Sequence, residues 1–284
     1  MERQQARGPV VYAGEPGAFA EDAVLAAFGD VDRTAVASFR AVFEALAGGP
    51  VNAAGVVPIE NVVNGTVREN YDLLLEHDVA IVGEVVVPVR LCLAALPGQG
   101  VDEIERVYSH IQALGQAEAF LRTRPWQLLT TYNTAGAGKS IVEREERGAA
   151  AVLSPRAAAL FGLEIVANDI QDVADNRTRF LILAPSGVDL PAPHEGGPPR
   201  TTLALAVRNE PGTLLAVLEV FARHGLNMSK LESRPSRELP WEYVFWVDLD
   251  ADGRDSATQA ALAELGAVTT MLRVLGSYPR GKGG

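Results

Sequence analysis

The first two-thirds of the chain alternate short apolar runs with stretches of helical period. Buried-strand patterns occur at residues 10–13, 53–59, 79–89, 90–96, 105–109, 127–131, 149–154 and 179–184. Amphipathic helical patterns occur at residues 19–28, 38–49, 66–77, 112–123 and 133–147. This alternation predicts an α/β fold with a largely parallel sheet, in which ligands bind where strand ends meet helix N-termini.

A change of pattern near residue 190 predicts a second domain. Residues 187–200 are rich in proline and glycine and have no periodicity, as is typical of a linker. Residues 201–278 then read strand, helix, strand, strand, helix, strand, which predicts a ferredoxin-like βαββαβ sandwich. The first domain is predicted to span residues 8–186.

Composition and charge exclude several classes of protein. The 284 residues are 48% apolar and carry a net charge of −11 without a Lys/Arg-rich stripe, which argues against nucleic-acid binding. The sequence has neither an apolar run of about 20 residues nor a secretory leader pattern. Cys92 is the single cysteine, so an intrachain disulfide is excluded. We expect a cytoplasmic protein.

Two segments of the first half combine polar residues with strand ends. The loop GEPGAFAEDAV at 14–24 opens the first helix and is either an anion site or a plain tight turn. Glu60 and Asn61 interrupt a buried strand just before the turn residues Asn64 and Gly65. This position favours side chains that line a cleft. The alternative interpretation is a turn followed by a helix with Thr66 as its N-cap.

A third polar group follows the strand pattern at 105–109. Ser109 and His110 precede a helix on which Gln112 and Gln116 share a face. Neighbours in sequence rarely meet as nucleophile and base, and no G-x-S-x-G elbow occurs, so a hydrolase is rejected. The remaining histidines have no metal-ligand spacing, and no metal site is predicted.

The segment NRTRF places Thr178 between Arg177 and Arg179 at the entrance of a buried strand. A strand entrance does not require two cations around a hydroxyl. The alternative is structural, with the arginines paired to nearby carboxylates at positions 169, 172 or 175.

Taken in order, these motifs resemble those of the prephenate dehydratase family. The resemblance covers nearly the whole chain and rests on PIEN, VGEV, YSH-x-Q, AAAVLSPRAAALFGL, NRTRF, LESRP and RVLGSYP. It implies a catalytic domain of two lobes, similar to type II periplasmic-binding-protein lobes, with a cleft between them. It also implies a C-terminal ACT domain that binds phenylalanine.

The implied reaction removes water and carbon dioxide from prephenate to give phenylpyruvate in phenylalanine biosynthesis. Aromatisation drives it, so no cofactor is expected. Thr178 matches the family's essential threonine and would donate a hydrogen bond to the leaving oxygen, and Arg179, with Arg177, would attract a carboxylate. We expect only one of these two arginines to face the cleft. The other implied catalytic residues are Asn61, Ser109 and Gln116, and weaker substrate contacts are Glu60, His110 and Gly17.

For the ACT domain the resemblance implies phenylalanine inhibition and a homodimer or a dimer-of-dimers tetramer. The implied effector contacts are Gly212, Thr213, Leu214, Asn227, Met228, Glu232 and Ser233. Ala18 and Ala20 replace hydroxyl residues that many relatives carry, and Ile111 replaces a proline, so part of the substrate site departs from the family pattern.

Three other functions stay open on the sequence. An arogenate dehydratase would use the same site on a substrate whose side chain carries an ammonium group. A related prephenate decarboxylase would remove carbon dioxide without aromatisation. A cytoplasmic small-molecule receptor, from a different class, would bind without turnover.

Overall fold

The computed structural model describes residues 8–49, 53–188, 190, 197–236 and 242–281. Part of the predicted linker at 187–200 lies outside the described residues. The strands are β1 Val10–Ala13, β2 Arg33–Val36, β3 Ala54–Asn61, β4 Gly65–Thr66, β5 Val79–Pro88, β6 Cys92–Ala95, β7 Arg106–Ser109, β8 Gln127–Thr130, β9 Ala149–Leu153, β10 Glu164–Ala167, β11 Arg177–Pro185, β12 Pro199–Ala206, β13 Met228–Pro235, β14 Tyr243–Leu249 and β15 Met271–Pro279. The helices are α1 Phe19–Phe28, α2 Phe39–Gly48, α3 Arg68–Glu76, α4 Ile111–Gln116, α5 Glu118–Leu121, α6 Thr134–Glu143, α7 Pro155–Leu160, α8 Thr213–Arg223 and α9 Ser256–Val268.

The first domain consists of two sheets, which form two lobes. In lobe 1 the strand order is β2-β1-β3-β11-β5, with β4 paired to β3. In lobe 2 the order is β10-β6-β9-β7-β8. Lobe 2 is inserted between β5 and β11, so β11 returns the chain to the centre of the lobe 1 sheet.

The sheets are mixed, and the expectation of a largely parallel sheet is wrong. Strand β11 pairs antiparallel with both β3 and β5, because the chain re-enters lobe 1 from lobe 2 without a local helical crossover. Strands β2 and β10 were not predicted, because half-exposed four-residue segments carry little apolar signal. The helical pattern predicted at 112–123 breaks at Ala117 into α4 and α5.

The predicted second domain is confirmed as a βαββαβ sandwich. Its sheet order is β13-β14-β12-β15, and α8 and α9 pack on one face of it. The apolar core between sheet and helices includes Leu203, Val220 and Leu265, all of which are fully buried.

The other face of this sheet packs on lobe 1. Trp246 and Tyr71 meet edge to face with ring centroids 4.6 Å apart, and Leu275 joins a buried cluster that also contains Leu73 of lobe 1. The two domains therefore share one buried hydrophobic cluster at their interface. In the described part of the chain, no helix is long and apolar enough to cross a membrane.

Candidate active site

A cleft of about 470 Å³ lies between the two lobes. Lobe 1 contributes strand ends and the starts of helices, and lobe 2 contributes the segments around α4 and α6. The polar residues that line the cleft are Ser38, Asn61, Asn64, Thr66, Glu69, His110, Gln112, Gln116, Tyr132, Asn133, Thr134 and Thr178.

The hydrogen bonds of Asn61 fix the orientation of its side-chain amide at the end of β3. Its Oδ1 accepts from the backbone N–H groups of Val63 and Asn64 at 3.0 and 2.8 Å, as in an Asx-type turn. The amide nitrogen must therefore face the other way, where it donates to Thr178 Oγ1 at 2.9 Å and to Asn176 Oδ1 at 2.8 Å. Asn61 therefore connects the turn after β3 to strand β11.

Thr178 lies on β11 directly opposite Asn61 in the strand register. Its hydroxyl is nearly buried, lines the cleft and accepts the Asn61 amide hydrogen bond. A hydroxyl has one proton to donate and two lone pairs to accept with. Because one lone pair is occupied by Asn61, the Thr178 proton is free to be donated to a ligand in the cleft.

Two predicted residues of lobe 2 reach the same cleft. Gln116 at the end of α4 donates weakly to Asn61 Oδ1 at 3.4 Å, so the two lobes meet at Asn61. His110 is the N-cap of α4, with Nδ1 accepting from the N–H of Gln112 at 3.3 Å. Burial lowers the pKa of His110 below its ordinary value, which favours the neutral ring that this cap requires.

Helix N-termini supply the positive end of the electrostatic field in the cleft. The first residues of α1, α2 and α6 line it, whereas the described lining contains no lysine or arginine. Helix α1 begins at Phe19 after Ala18, which provides no side-chain cap, so the N–H groups of Phe19 and Ala20 remain available to an anion.

Two predicted site residues lie outside the cleft for packing reasons. Ser109 is fully buried and donates to the carbonyl of Val152 at 2.6 Å, which ties β7 to β9. Gly17 adopts a φ of +91°, and a Cβ there would lie 2.9 Å from Ala157. Its glycine is required by the close approach of lobe 2, and its N–H donates to Glu21 rather than facing the cleft.

The two arginines of NRTRF also lie away from the cleft, and the expectation that one of them faces it needs correction. Residues two apart in a strand share a face, so Arg177 and Arg179 both point opposite to Thr178. Arg177 donates to Asp175 at 2.6 Å, as the structural alternative anticipated. The Arg179 guanidinium binds carboxylates of both domains, which replaces the expected contact with a substrate carboxylate.

Glu60 is one of the carboxylates that bind Arg179 on the face of the sheet opposite to the cleft. Its side chain follows the pleat of β3 away from Asn61 and accepts from Arg179 at 3.2 Å and from Lys230 of the ACT domain at 3.1 Å. Thr66 is not the N-cap of α3, because the helix begins at Arg68 after Val67. The Thr66 hydroxyl instead donates to Glu232 of the ACT domain at 2.8 Å.

Sequence reasoning missed Asn176, which is 2% exposed and accepts the Asn61 amide. As the first residue of NRTRF it only precedes the strand entrance, and the sequence predicts no role for it beyond a turn. Its own Nδ2 is buried without a hydrogen-bond partner in the described part of the chain. No sequence signal separates a buried asparagine from a turn asparagine when both precede a strand.

The implied effector residues of the ACT domain lie in three different environments. Gly212 is the N-cap of α8 with a φ of +88°, and the Thr213 hydroxyl donates to the carbonyl of Arg208 at 2.7 Å. The Asn227 amide donates to Asp250 at 2.6 Å. Glu232 faces lobe 1, whereas its neighbour Ser233 is exposed on the other face of β13.

The strand register separates these residues within one protomer. Met228 pairs with Leu249, which also pairs with Thr201 at the start of β12. Gly212 follows the opposite end of β12, beyond Ala206. Gly212 and Asn227 therefore lie toward opposite ends of the ACT sheet.

Comparison with known proteins identifies both domains. A family model for prephenate dehydratase matches residues 10–187, and a model for the ACT domain matches residues 201–267. The chain belongs to the prephenate dehydratase family. The chain is 41% identical over 279 residues to arogenate dehydratase/prephenate dehydratase 2 of Arabidopsis thaliana, covering 95% of this chain and 72% of that relative.

Solved structures agree with this family assignment over almost the full length. Prephenate dehydratase from Arthrobacter aurescens in complex with L-Phe superposes with a TM-score of 0.86 and 30% identity, covering 96% of this chain and 90% of that chain. GqqA, a quorum-quenching acylase of a novel type, superposes with a TM-score of 0.86 and 29% identity, covering 97% and 99%. The predicted family, with its two-lobed catalytic domain and ACT domain, is confirmed.

Proposed function

We propose that this member of the prephenate dehydratase family converts prephenate to phenylpyruvate, with Thr178 as the hydrogen-bond donor to the leaving hydroxyl. The observation that carries the proposal is the Asn61–Thr178 hydrogen bond, which leaves the Thr178 proton free to point into the cleft. A threonine hydroxyl is too weak an acid to protonate the oxygen outright. It stabilises the negative charge that develops as the C–O bond breaks.

In this reaction the ring carboxylate leaves as carbon dioxide, and its C–C bonding electrons complete the aromatic ring. The C–O bond to the ring hydroxyl breaks at the same time. The oxygen departs as water after taking up one proton from the solvent of the open cleft, while Thr178 keeps its own proton and only donates a hydrogen bond. Aromatisation supplies the driving force, so the residues need only bind, orient and donate.

The two carboxylates of the substrate are assigned to backbone N–H groups at the starts of α1 and α6, on opposite sides of the cleft. The uncapped N-terminus of α1 supports this role in lobe 1. Gln116 and Asn64 would orient the ring between them. An acidic protein with a net charge of −11 can bind a dianion in this way because helix N-termini concentrate positive potential locally.

The preference between prephenate and arogenate depends on the group that meets the substrate side chain. Glu69 is the one carboxylate in the described lining of the cleft. An ammonium group would be attracted to it, whereas a keto group would not. We therefore propose that arogenate is also a substrate, as the name of the Arabidopsis relative suggests.

Acylase chemistry, the activity named for GqqA, is not proposed for this chain. It needs a nucleophile whose proton is taken by a base. Thr178 accepts from an amide rather than donating to a base, and His110 Nδ1 accepts from a backbone N–H. The Asn61–Thr178 hydrogen bond also argues against a pure receptor, because binding without turnover would not need an oriented donor at the leaving group.

The ACT domain is proposed to bind phenylalanine and inhibit turnover. The N-terminus of α8 offers N–H groups to the effector's carboxylate, and the side-chain carbonyl of Asn227 can meet the ammonium group while the side-chain NH₂ contacts Asp250. Because Gly212 and Asn227 lie toward opposite ends of the sheet, one site needs two chains. An antiparallel pairing of edge strand β13 with its copy would bring Gly212 to the partner's Asn227, giving a homodimer.

The experiment that tests the catalytic proposal incubates the purified full chain with prephenate, with arogenate or with neither. We expect phenylpyruvate, detected by its absorbance in alkali, from prephenate, and phenylalanine from arogenate. Absence of product from both substrates would contradict a dehydratase. Carbon dioxide release without an aromatic product would indicate the decarboxylase. A cytoplasmic location remains part of the proposal, to be checked by fractionation.

A further inference from the structure

Arg179 joins the catalytic strand to the ACT domain. It follows Thr178 directly on β11 but projects from the opposite face of the sheet. There its Nη1 lies 2.8 Å from Asp248 of β14 and 3.3 Å from Glu84 of β5, and its Nη2 lies 3.2 Å from Glu60. With a side chain only 14% exposed, Arg179 is held by these contacts rather than by water.

Asp248 is a fixed anion within the ACT sheet. Its other oxygen accepts from Thr202 Oγ1 at 2.8 Å, and Thr202 in turn lies 2.7 Å from the hydroxyl of Tyr278. Burial alone would raise the pKa of Asp248, but Arg179 and the Thr202 hydrogen bond outweigh burial and lower it. The carboxylate therefore stays charged. Its hydrogen bonds connect β14 to β12 and β15, so it moves together with these three strands.

The pairing of β11 with β3 is irregular at this point, whereas its pairing with β5 is continuous there. Arg179 pairs with Glu60 of β3, but the next residue, Phe180, pairs with Pro58, so the register shifts between them. Proline has no N–H to donate to the ladder, and a register shift locally disrupts strand pairing. On the side of β3, the position of Thr178 consequently also depends on side chains: Asn61 on the cleft face and the Arg179 contacts on the other.

We propose that Arg179 is a positioning residue for Thr178 and that Asp248 is the ACT-domain group that holds it. Movement of the ACT sheet on binding its effector would then displace β11 at Thr178 without any contact between Arg179 and the substrate. This proposal rests on the proposed function, in which Thr178 is the donor and phenylalanine the effector.

A neighbouring ion pair provides a matched control. Arg200 of the ACT domain binds Glu84 of β5 at 2.7 Å, with side-chain exposures of 12% and 3%, against 14% and 6% for Arg179 and Asp248. Both pairs cross the same interface and are similarly buried. Glu84 also contacts Arg179, but replacing Arg200 leaves all three carboxylates around Arg179 in place. Breaking the pair at Arg200 therefore weakens the interface without removing a contact of the residue next to Thr178.

The experiment compares Asp248→Asn with Arg200→Gln in the full-length protein. For Asp248→Asn we expect kcat to fall by tens of fold, up to about a hundredfold, at unchanged KM. The phenylalanine concentration for half inhibition should rise by about 5- to 150-fold. Arg200→Gln should lower Tm while kcat and phenylalanine sensitivity stay near wild type. Equal losses of kcat in both variants, or wild-type behaviour of Asp248→Asn, would overturn the proposal.

Two further measurements keep the test decisive if Asp248→Asn does not fold or the wild type does not turn over. Arg179→Lys keeps the charge but cannot reach three carboxylates with one planar group. It should lower kcat at unchanged KM, whereas a raised KM with normal kcat would place Arg179 on the substrate instead. Hydrogen exchange of the peptide containing Thr178 should change when phenylalanine is added to wild type and to Arg200→Gln, but not to Arg179→Lys. No change in wild type would reject the coupling independently of activity.

Discussion

The side-chain amide of Asn61 donates to the hydroxyl of Thr178 across 2.9 Å, although the two residues are 117 positions apart in the chain. Backbone N–H groups on the other side of Asn61 prevent the amide from turning over. The hydroxyl therefore accepts on one side and can donate only on the side of the cleft. Two neutral side chains thereby form a hydrogen-bond donor that points into the cleft.

Replacement of Thr178 by valine removes this donor and keeps the side-chain shape. We expect kcat to fall by roughly a hundred- to ten-thousand-fold, because the developing oxyanion loses its positioned hydrogen bond. KM should change little. The matched control is Thr34→Val, the same substitution at an exposed position of β2 in the same sheet. A Thr178→Val enzyme that keeps a large part of wild-type kcat would remove Thr178 from the mechanism.

Asn61→Asp reverses the hydrogen bond instead of deleting it. The carboxylate would accept the Thr178 proton and turn it away from the cleft, so we expect kcat to fall nearly as far as in Thr178→Val. Because the two residues act as one unit, the double variant should lose little more than either single variant. Steady-state kinetics of wild type, both single variants and the double variant tests this expectation. Losses of kcat that are additive as activation free energies would mean that the two residues act separately.

Gly212→Ala should weaken inhibition by phenylalanine. An alanine is strained at a φ of +88° and disturbs the start of α8, where the effector's carboxylate is assigned. Gly225→Ala is the control, since it places the same strain, at a φ of +65°, beyond the other end of the helix. Calorimetry should detect weaker phenylalanine binding only in Gly212→Ala. Equal weakening in both variants would indicate a general loss of domain stability.

Glu69→Gln should change the choice of substrate. If the Glu69 carboxylate meets the ammonium group of arogenate, its loss lowers kcat/KM for arogenate and leaves prephenate unaffected or improved. The ratio of the two kcat/KM values is the measurement. Glu44→Gln, an exposed position on α2 of the same lobe, is the control. An unchanged ratio in Glu69→Gln would remove Glu69 from substrate selection.

Acidification should selectively weaken the cap of α4. Burial lowers the pKa of His110 below its ordinary value of 6.5, so the unfolded chain takes up the proton first as pH falls. The stabilisation by neutral His110 is complete above about pH 6.5 and is lost progressively below it. His110→Asn keeps an N-cap acceptor that does not titrate. As pH falls, the Tm of His110→Asn should rise relative to that of wild type. A Tm difference between the two proteins that does not change with pH would contradict the role of His110 as a titrating cap.

Much of the fold could be predicted because its strongest signals are local. The helical and strand periods gave the core elements and the βαββαβ domain, and the ordered motifs gave the family. Asn61 at the end of β3 and Thr178 near the start of β11 lie opposite each other because the two strands are antiparallel, and Gln116 at the end of α4 reaches Asn61 from lobe 2. Strand β2 escaped detection because it buries too little apolar surface to leave a pattern.

The parts that failed depend on partners distant in the sequence. Arg179 has the chemistry of a carboxylate ligand, but which carboxylate it meets is decided by the ACT domain packed behind β11. Ser109 has the chemistry of a cleft residue, yet it faces β9. A residue type states what a side chain can bind, and only the register of the strand decides the face from which it does so.

The insertion of lobe 2 into lobe 1 sets the order in which the enzyme becomes competent during synthesis. The ribosome produces the first five strands of lobe 1, then all of lobe 2, and only then β11. The two connections between the lobes run side by side, joined by a hydrogen bond from Val89 N–H to the carbonyl of Asn176 at 2.8 Å. A nascent chain that has not reached residue 178 has a gap between β3 and β5 where its donor belongs. Turnover is therefore reserved for chains whose second lobe has already been completed.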